Sequence, residues 1–261
     1  MNTTNDHDAY APPEIAARVS SVGVAKAGRD VATTFVLAVL AGAFIALGSL
    51  FYAVVITGSE LGFGPTRLLG GLAFSLGLIL VIVAGAELFT GNNLIAMAWA
   101  SRLVSTGAVL KNWIVVYFGN LVGALGTLLL AWVGRVHELG GGKVALTLAD
   151  IGARKAGYEP LQVFALAVLC NGLVCLAVWL SFAGRSVVDR IFAIVFPVTA
   201  FVVLGLEHCV ANLFFLPYAM ALDGFENGAL IRGGLGNLLV VTGGNIIGGT
   251  VLVAGVYWLA Y

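Results

Sequence analysis

Charge is scarce in this sequence. Thirteen Lys/Arg and thirteen Asp/Glu make up 10% of its 261 residues, against about 25% in a soluble domain. The two signs cancel to a net charge of zero, so the basic footprint of a nucleic-acid-binding protein is missing. Cysteine is rarer still. Cys170, Cys175 and Cys209 each lie in apolar sequence and read as small buried hydrophobes, neither a disulfide framework nor a metal cluster. Three histidines form no His-x-x-His pair, and no Ser/His/Asp or cofactor motif stands out. Two buried carboxylates and one histidine make a poor metal set. The expectation is a protein that is not an enzyme and needs no cofactor and no metal. Some thirty polar residues precede the first apolar run, so no cleavable signal peptide is expected.

What fills the chain instead is apolar. Hydrophobic residues are 60% of it and the mean hydropathy is +1.03, which marks a polytopic membrane protein. Inside that apolar sequence stand a few ionisable groups. Glu207 and His208 follow sixteen uncharged residues, Ile191 to Leu206, and precede fourteen more, Cys209 to Leu222. A continuous crossing needs about 20 apolar residues, so this run reads as one crossing interrupted part-way. Ionisable groups at such depth are costly and mark a bundle interior or a water-filled path.

The pattern occurs twice. Gly85-Ala86-Glu87 stands 120 residues before Gly205-Leu206-Glu207, and Asn92 follows Glu87 at the spacing that separates Asn212 from Glu207. Glu87 likewise sits between nineteen uncharged residues, Leu68 to Ala86, and fourteen more, Leu88 to Ser101. Gly119-Asn120-Leu121-Val122-Gly123 is echoed by Gly244-Asn245-Ile246-Ile247-Gly248. Such self-similarity is an internal duplication. Interrupted apolar segments in matching positions of two halves point to a transport site.

In chain order, residues 1–30 are a polar tail, of which Pro13 to Arg29 alternates apolar and basic residues as an interfacial helix does. The transmembrane domain is residues 31–261. Its crossings are Val31 to Thr57, the interrupted Leu68 to Ser101, Trp113 to Val133, Leu161 to Ala183, the interrupted Ile191 to Leu222, and a last helix ending at Tyr261. Residues 134–160 read as a long polar connection, and 223–236 as a Gly-rich turn. Three crossings per half give opposite topologies, so the expected fold is all-α, six transmembrane helices in an inverted 3+3 repeat with two interrupted helices. Lys/Arg counts of seven on the N-terminal side and six on the other leave the orientation undecided.

At the breaks, Gly91 and Gly205 offer backbone freedom, and Asn92 and Asn212 can cap the half-helices after them. Glu87 and Glu207 are expected to accept hydrogen bonds from the freed N–H groups and hold the breaks in shape. Half-helix N-termini attract anions. His208 alone among the histidines lies inside a crossing, and imidazole both donates and accepts near neutral pH. Phe74, Leu78, Leu88 and Phe201 surround the breaks as apolar constrictions of a narrow pore.

At these residues the chain resembles the formate/nitrite transporter family. The likeness runs from Ala41-Gly42-Ala43-Phe44 to the Gly244–Gly249 stretch, through Phe74-Ser75-Leu76-Gly77-Leu78, Glu87-Leu88-Phe89-Thr90, Lys111-Asn112-Trp113, Tyr117-Phe118-Gly119-Asn120 and Gly205–Asn212. The resemblance implies an aquaporin-like protomer with its own pore, a homopentamer, an inward N-terminus and multi-pass insertion in the cell inner membrane. It implies His208 as the central pore histidine and Thr90 as the hydroxyl facing it. Glu207, Asn171, Asn212 and Asn245 become polar support, and Lys155 a vestibule lysine. Gly91-Asn92-Asn93 replaces the Ser/Thr-rich version of some formate channels. The implied cargo is a small monovalent anion, formate or nitrite first, with hydrosulfide or another short monocarboxylate as alternatives, moving together with a proton. A channel for water or neutral solutes is the other class. Paired Asn at breaks fit it, but no Asn-Pro-Ala triplet is present.

Overall fold

A computed structural model describes residues 9–261 and is helical throughout. The first eight residues of the polar tail lie outside the described residues. Eleven α-helices occur in order among those described: α1 (Pro12–Gly28), α2 (Val31–Ile56), α3 (Phe63–Ala84), α4 (Ile95–Ala100), α5 (Thr106–Val133), α6 (Lys143–Ala156), α7 (Pro160–Ala183), α8 (Val187–Val203), α9 (Cys209–Leu222), α10 (Gly228–Ile247) and α11 (Val256–Ala260). A π-helical segment, Gly248–Gly255, makes α10 and α11 one continuous rod. Among the described residues, five helices are long and apolar enough to cross a membrane: α2, α3, α5, α7 and the α10–α11 rod. Outward-facing residues such as Leu130, Phe196 and Leu239 are more than 70% exposed, as a lipid-facing surface requires.

Helix boundaries reflect local chemistry. Asp30 and Ser105 accept from the backbone N–H groups of Thr33 and Ala108 and so start α2 and α5. Ser186 and Asp189 form a reciprocal capping box at the start of α8. Two sequence expectations shift here. Residues 134–160 are not simply a polar connection, because α6 lies within them and buries Val144, Leu148 and Ile151. The last rod starts at Gly228, where the Asn227 side chain caps it, within the expected turn.

Packing repeats between the halves. In the first half α2 packs on α3 and α5, and α1 on α4; in the second α7 packs on α8 and α10, and α6 on α9. The halves meet where α3 lies along α8. Small residues permit the closest approaches. A Cβ on Gly42 would come within 2.0 Å of the Asn120 carbonyl oxygen, and one on Gly123 within 1.9 Å of that of Val39, so α2 and α5 touch backbone to backbone.

Two segments interrupt the bundle. After α3 the chain turns at Gly85 (φ 83°), runs irregularly to Phe89 and re-enters through a short 3₁₀ turn, Gly91–Leu94, into α4. After α8 it turns at Gly205 (φ 70°) and resumes as α9. The left-handed residue of the first break is therefore Gly85, while Gly91 opens the 3₁₀ turn. Each turn glycine stands two residues before its glutamate, so one geometry serves both breaks.

Candidate functional site

Each break leaves backbone N–H and C=O groups free deep in the bundle, and these require partners. One asparagine per half supplies them. Asn120 on α5 accepts from Phe89 N–H at 2.9 Å and donates to the carbonyls of Ala38 and Glu87 at 2.8 and 2.9 Å. Asn245 on α10 accepts from Cys209 N–H at 2.8 Å and donates to the carbonyls of Ala167 and Glu207 at 2.8 and 3.0 Å. The Glu87 N–H donates to Leu37 O, and the Glu207 N–H to Leu166 O. The Gly-Asn echo in the sequence is this pair of backbone clamps.

The carboxylates are pinned in the same duplicated way. Asn92 Nδ2 lies 2.6 Å from Glu87 Oε2, and Asn212 Nδ2 lies 2.7 Å from Glu207 Oε2. Neither Asn side chain caps a helix, contrary to the sequence expectation. Their amides serve the glutamates and donate onward to Asn112 and Asn237. Those two donate to the backbone carbonyls of Lys26 and Lys155, and the ammonium groups close the circuit on Glu87 at 3.0 Å and on Glu207 at 2.7 Å. Arg29 adds a second cation to Glu87. A buried carboxylate without such a partner is strongly destabilising. Lys155 is therefore held rather than free. Lys26 is its counterpart, with α1 matching α6.

Between the breaks stands His208, 3% exposed. It is the N-cap of α9: its Nδ1 accepts from the Ala211 N–H at 3.2 Å. An amide only donates, so Nδ1 carries no proton and the neutral ring bears its hydrogen on Nε2. Nε2 lies 2.9 Å from Thr90 Oγ1 and donates to it, leaving the threonine hydroxyl hydrogen for another acceptor. The Thr90 carbonyl is fixed from behind by Asn171 Nδ2 at 3.3 Å and Cys175 Sγ at 3.4 Å. Asn171 also donates to Asn93 Oδ1 and to Asn245 O, which ties the two breaks together.

The His208–Thr90 contact separates two recesses. One, of ≈ 590 Å³, is lined by Phe74, Phe201, His208, Glu207, Lys155 and Arg67 among others. The Phe74 and Phe201 rings meet edge to face at 5.4 Å, and Phe201 lies nearly parallel to the imidazole at 6.0 Å. The other recess, of ≈ 490 Å³, is lined by Leu78, Leu88, Gly91, Asn92 and Lys26 among others. All four apolar side chains named from the sequence are at most 4% exposed. They fall in two pairs, Phe74 with Phe201 and Leu78 with Leu88. Each recess thus combines a lysine with an apolar pair, and His208 lines the first.

A family model described as formate/nitrite transporter matches residues 13–259. The chain belongs to the formate/nitrite transporter family. It is thus a multi-pass membrane transporter. Formate channel FocA of Escherichia coli K12 is 38% identical over 278 aligned residues, spanning 100% of this chain and 98% of the relative. A solved structure titled a pentameric formate channel with formate bound is 41% identical, covering 88% of this chain and 97% of that one with a TM-score of 0.81. A solved ion channel of this family superposes with a TM-score of 0.86 at 27% identity, covering 95% of this chain and 99% of the other.

Sequence reading missed Lys26, Arg29, Asn93, Asn112, Asn120 and Asn237 as members of this site. Asn120 had a signal in the Gly-Asn echo. Asn112 shares that signal, since Asn112 and Asn237 stand at the same 125-residue offset as Asn120 and Asn245, whereas Lys26 had none, its counterpart lying 129 residues further on.

Proposed function

We propose that this protein passes formate across the cell inner membrane, the anion entering a recess and crossing the centre as the neutral acid. The observation that carries this reading is the His208–Thr90 hydrogen bond set between two apolar pairs, with a lysine behind each. Formate as cargo is supported by the names of the relatives, and nitrite or hydrosulfide remain chemically similar guests.

The architecture we infer has six crossings in an inverted 3+3 repeat: α2, the broken α3–α4, α5, then α7, the broken α8–α9 and the α10–α11 rod. The duplicated clamps and the mirrored packing support it. With the N-terminus inside, residues 1–30 form a cytoplasmic tail and interfacial helix, Lys26 belongs to the inner recess and Lys155 to the outer. Homopentameric assembly is inferred from the likeness to the pentameric channel, with a separate pore in each protomer.

The apolar pairs set the mechanism. Moving a carboxylate-sized ion into a medium of low dielectric costs on the order of 20 kcal/mol in the idealised limit, which would stop flux. The cations lining the recess draw the anion in, and as its water is stripped away its basicity rises. A proton then joins it. Because Nδ1 of His208 faces an N–H donor, protonating the ring would set two hydrogens against each other, so water in the recess supplies the proton and the hydroxide left behind returns to the outside solution. The neutral acid passes Phe74 and Phe201, accepts a hydrogen bond from Thr90, and leaves past Leu88 and Leu78.

The test is uptake into proteoliposomes of formate, nitrite, hydrosulfide, acetate and lactate at two external pH values. Formate uptake should be rapid and should rise as the external pH falls. Flux that is absent, or faster at higher pH, would overturn the reading.

A further inference from the structure

Lys155 cannot by itself make its recess positive, since Glu207 cancels it at 2.7 Å. Arg154, also in the lining, pairs with Asp150 at 3.3 Å. The remaining cation there is Arg67, the fifth residue of α3. Among the described residues no carboxylate pairs with it. Its Nε donates to Val203 O and one terminal nitrogen, Nη2, to Val202 O, both at 2.7 Å. Those carbonyls lie in the last turn of α8, where the helix breaks, and Val202 O also accepts from the Gly205 N–H at 3.1 Å. The other terminal nitrogen, Nη1, donates to no protein atom among the described residues. Carbonyl capping holds the guanidinium in place without neutralising it.

The place is set by the break. A Cβ on Gly205 would come within 3.0 Å of Nη2, so a side chain there would collide with the guanidinium. The partner break has an arginine in the corresponding place. Arg190, in the first turn of α8, lines a recess of ≈ 680 Å³ with Gly85, Glu87, Lys26 and Arg29. An arginine at the start of each broken helix thus stands beside the break of the other.

We propose that Arg67 is the anion-capture residue of the Lys155 recess: two of its nitrogens hold the end of α8, and the third, with the uncompensated charge, binds the incoming carboxylate. Lys155 then receives it without giving up Glu207, whose release would leave a buried carboxylate unpaired. A guanidinium suits this double task. It is planar, keeps its charge at any working pH and offers several donors in fixed directions, which an ammonium group does not. The proposal deepens the transport reading and rests on it only for the direction of travel, since binding at Arg67 is measurable without flux.

The experiment compares wild type, Arg67→Gln and Arg67→Lys as purified oligomers in detergent and in proteoliposomes. Formate binding is followed by line broadening of ¹³C-formate, and uptake is measured over a range of formate concentrations. Arg67→Gln should weaken binding and raise the half-saturating concentration about tenfold, the lower end of what a charged cleft adds to local anion concentration. Maximal flux should change little. Arg67→Lys should recover most of that loss, since it restores the charge but not the paired carbonyl contacts. Raising the salt to about three times physiological ionic strength should shrink the difference between variants. Binding to Arg67→Gln that equals wild type would overturn the proposal, as would wild-type protein that binds no formate. Equal impairment in the Gln and Lys variants would mean a structural role alone and would also overturn it. Binding that depends on Arg67 in a protein giving no flux would leave the capture site standing and defeat the transport reading.

Discussion

His208 uses its two nitrogens for different tasks, and each restricts the other. Nδ1 starts α9 by accepting from Ala211, which fixes the hydrogen on Nε2 and aims it at Thr90. Replacing His208 by Phe removes both bonds. Loss of a helix cap costs about 1 kcal/mol, too little to unfold the bundle, so the variant should assemble. Its formate uptake should fall at least about tenfold, as expected for a hydrogen bond worth roughly 1.5 kcal/mol at the barrier; unchanged uptake in liposomes would remove His208 from the pathway. Lys155 invites a second test. Truncating it to Ala strands Glu207 and should cost about 3 kcal/mol or more, read as loss of folded oligomer on heating. Adding Glu207→Gln to the same protein should restore much of that stability. A double variant no better than Lys155→Ala would deny that the pair is coupled.

At the level of elements, the two breaks are specified by short motifs whose partners lie far away in the chain. The glutamates were legible because carboxylates inside apolar runs need a reason to be there, and the Gly-x-Glu pattern fixed where each rod stops. The turn itself was harder to place. The sequence reading puts the first turn at Gly91, but the backbone turn falls on Gly85, which matches Gly205 in spacing from its glutamate. Helix α6 escaped notice because its mixture of Lys, Thr, Asp and Arg resembles a loop until Val144, Leu148 and Ile151 are seen sharing a buried face. Close contact of α2 with α5 makes Gly123→Val severe, since the new Cβ would meet a backbone oxygen rather than a movable side chain. Overpacking of that kind costs about 3 kcal/mol or more, and little folded oligomer should be recovered. Gly126→Val, on the same helix with open space around it, should be tolerated; similar yields for the two would contradict this packing. Capping at α8 carries a pH signature. Donation from the backbone N–H groups of Ser186 and Arg185 holds the Asp189 carboxyl below the usual carboxylate range. A lowered folded pKa contributes stability above the unfolded value and loses it as the pH falls through the folded one. Wild type should therefore outlast Asp189→Ala on heating at neutral pH, and the gap should close in acid. A gap that widens in acid would reverse the assigned sign.

For the molecule as a whole, a duplicated chain yields an unlike centre. Equivalent positions carry Leu88 and His208 after the two glutamates, and Thr90 and Val210 three residues after them. The scaffold is thus nearly symmetric, whereas the polar contact at its middle comes from one imidazole on one break and one hydroxyl on the other. That asymmetry was readable in the sequence once the glutamates were aligned. The circuit through Lys26 was not, because it stands 129 residues from Lys155, out of register with the other repeated positions, and only folding brings its partners together. The central claim concerns the charge of the species that crosses. Formate uptake into proteoliposomes carrying an internal pH indicator, with the membrane potential clamped at several values by a potassium gradient and valinomycin, tests it most directly. Passage as the neutral acid predicts one proton delivered per formate and a rate that ignores the imposed potential. A rate that tracks the potential, with no accompanying acidification, would show the bare anion crossing and would contradict the account.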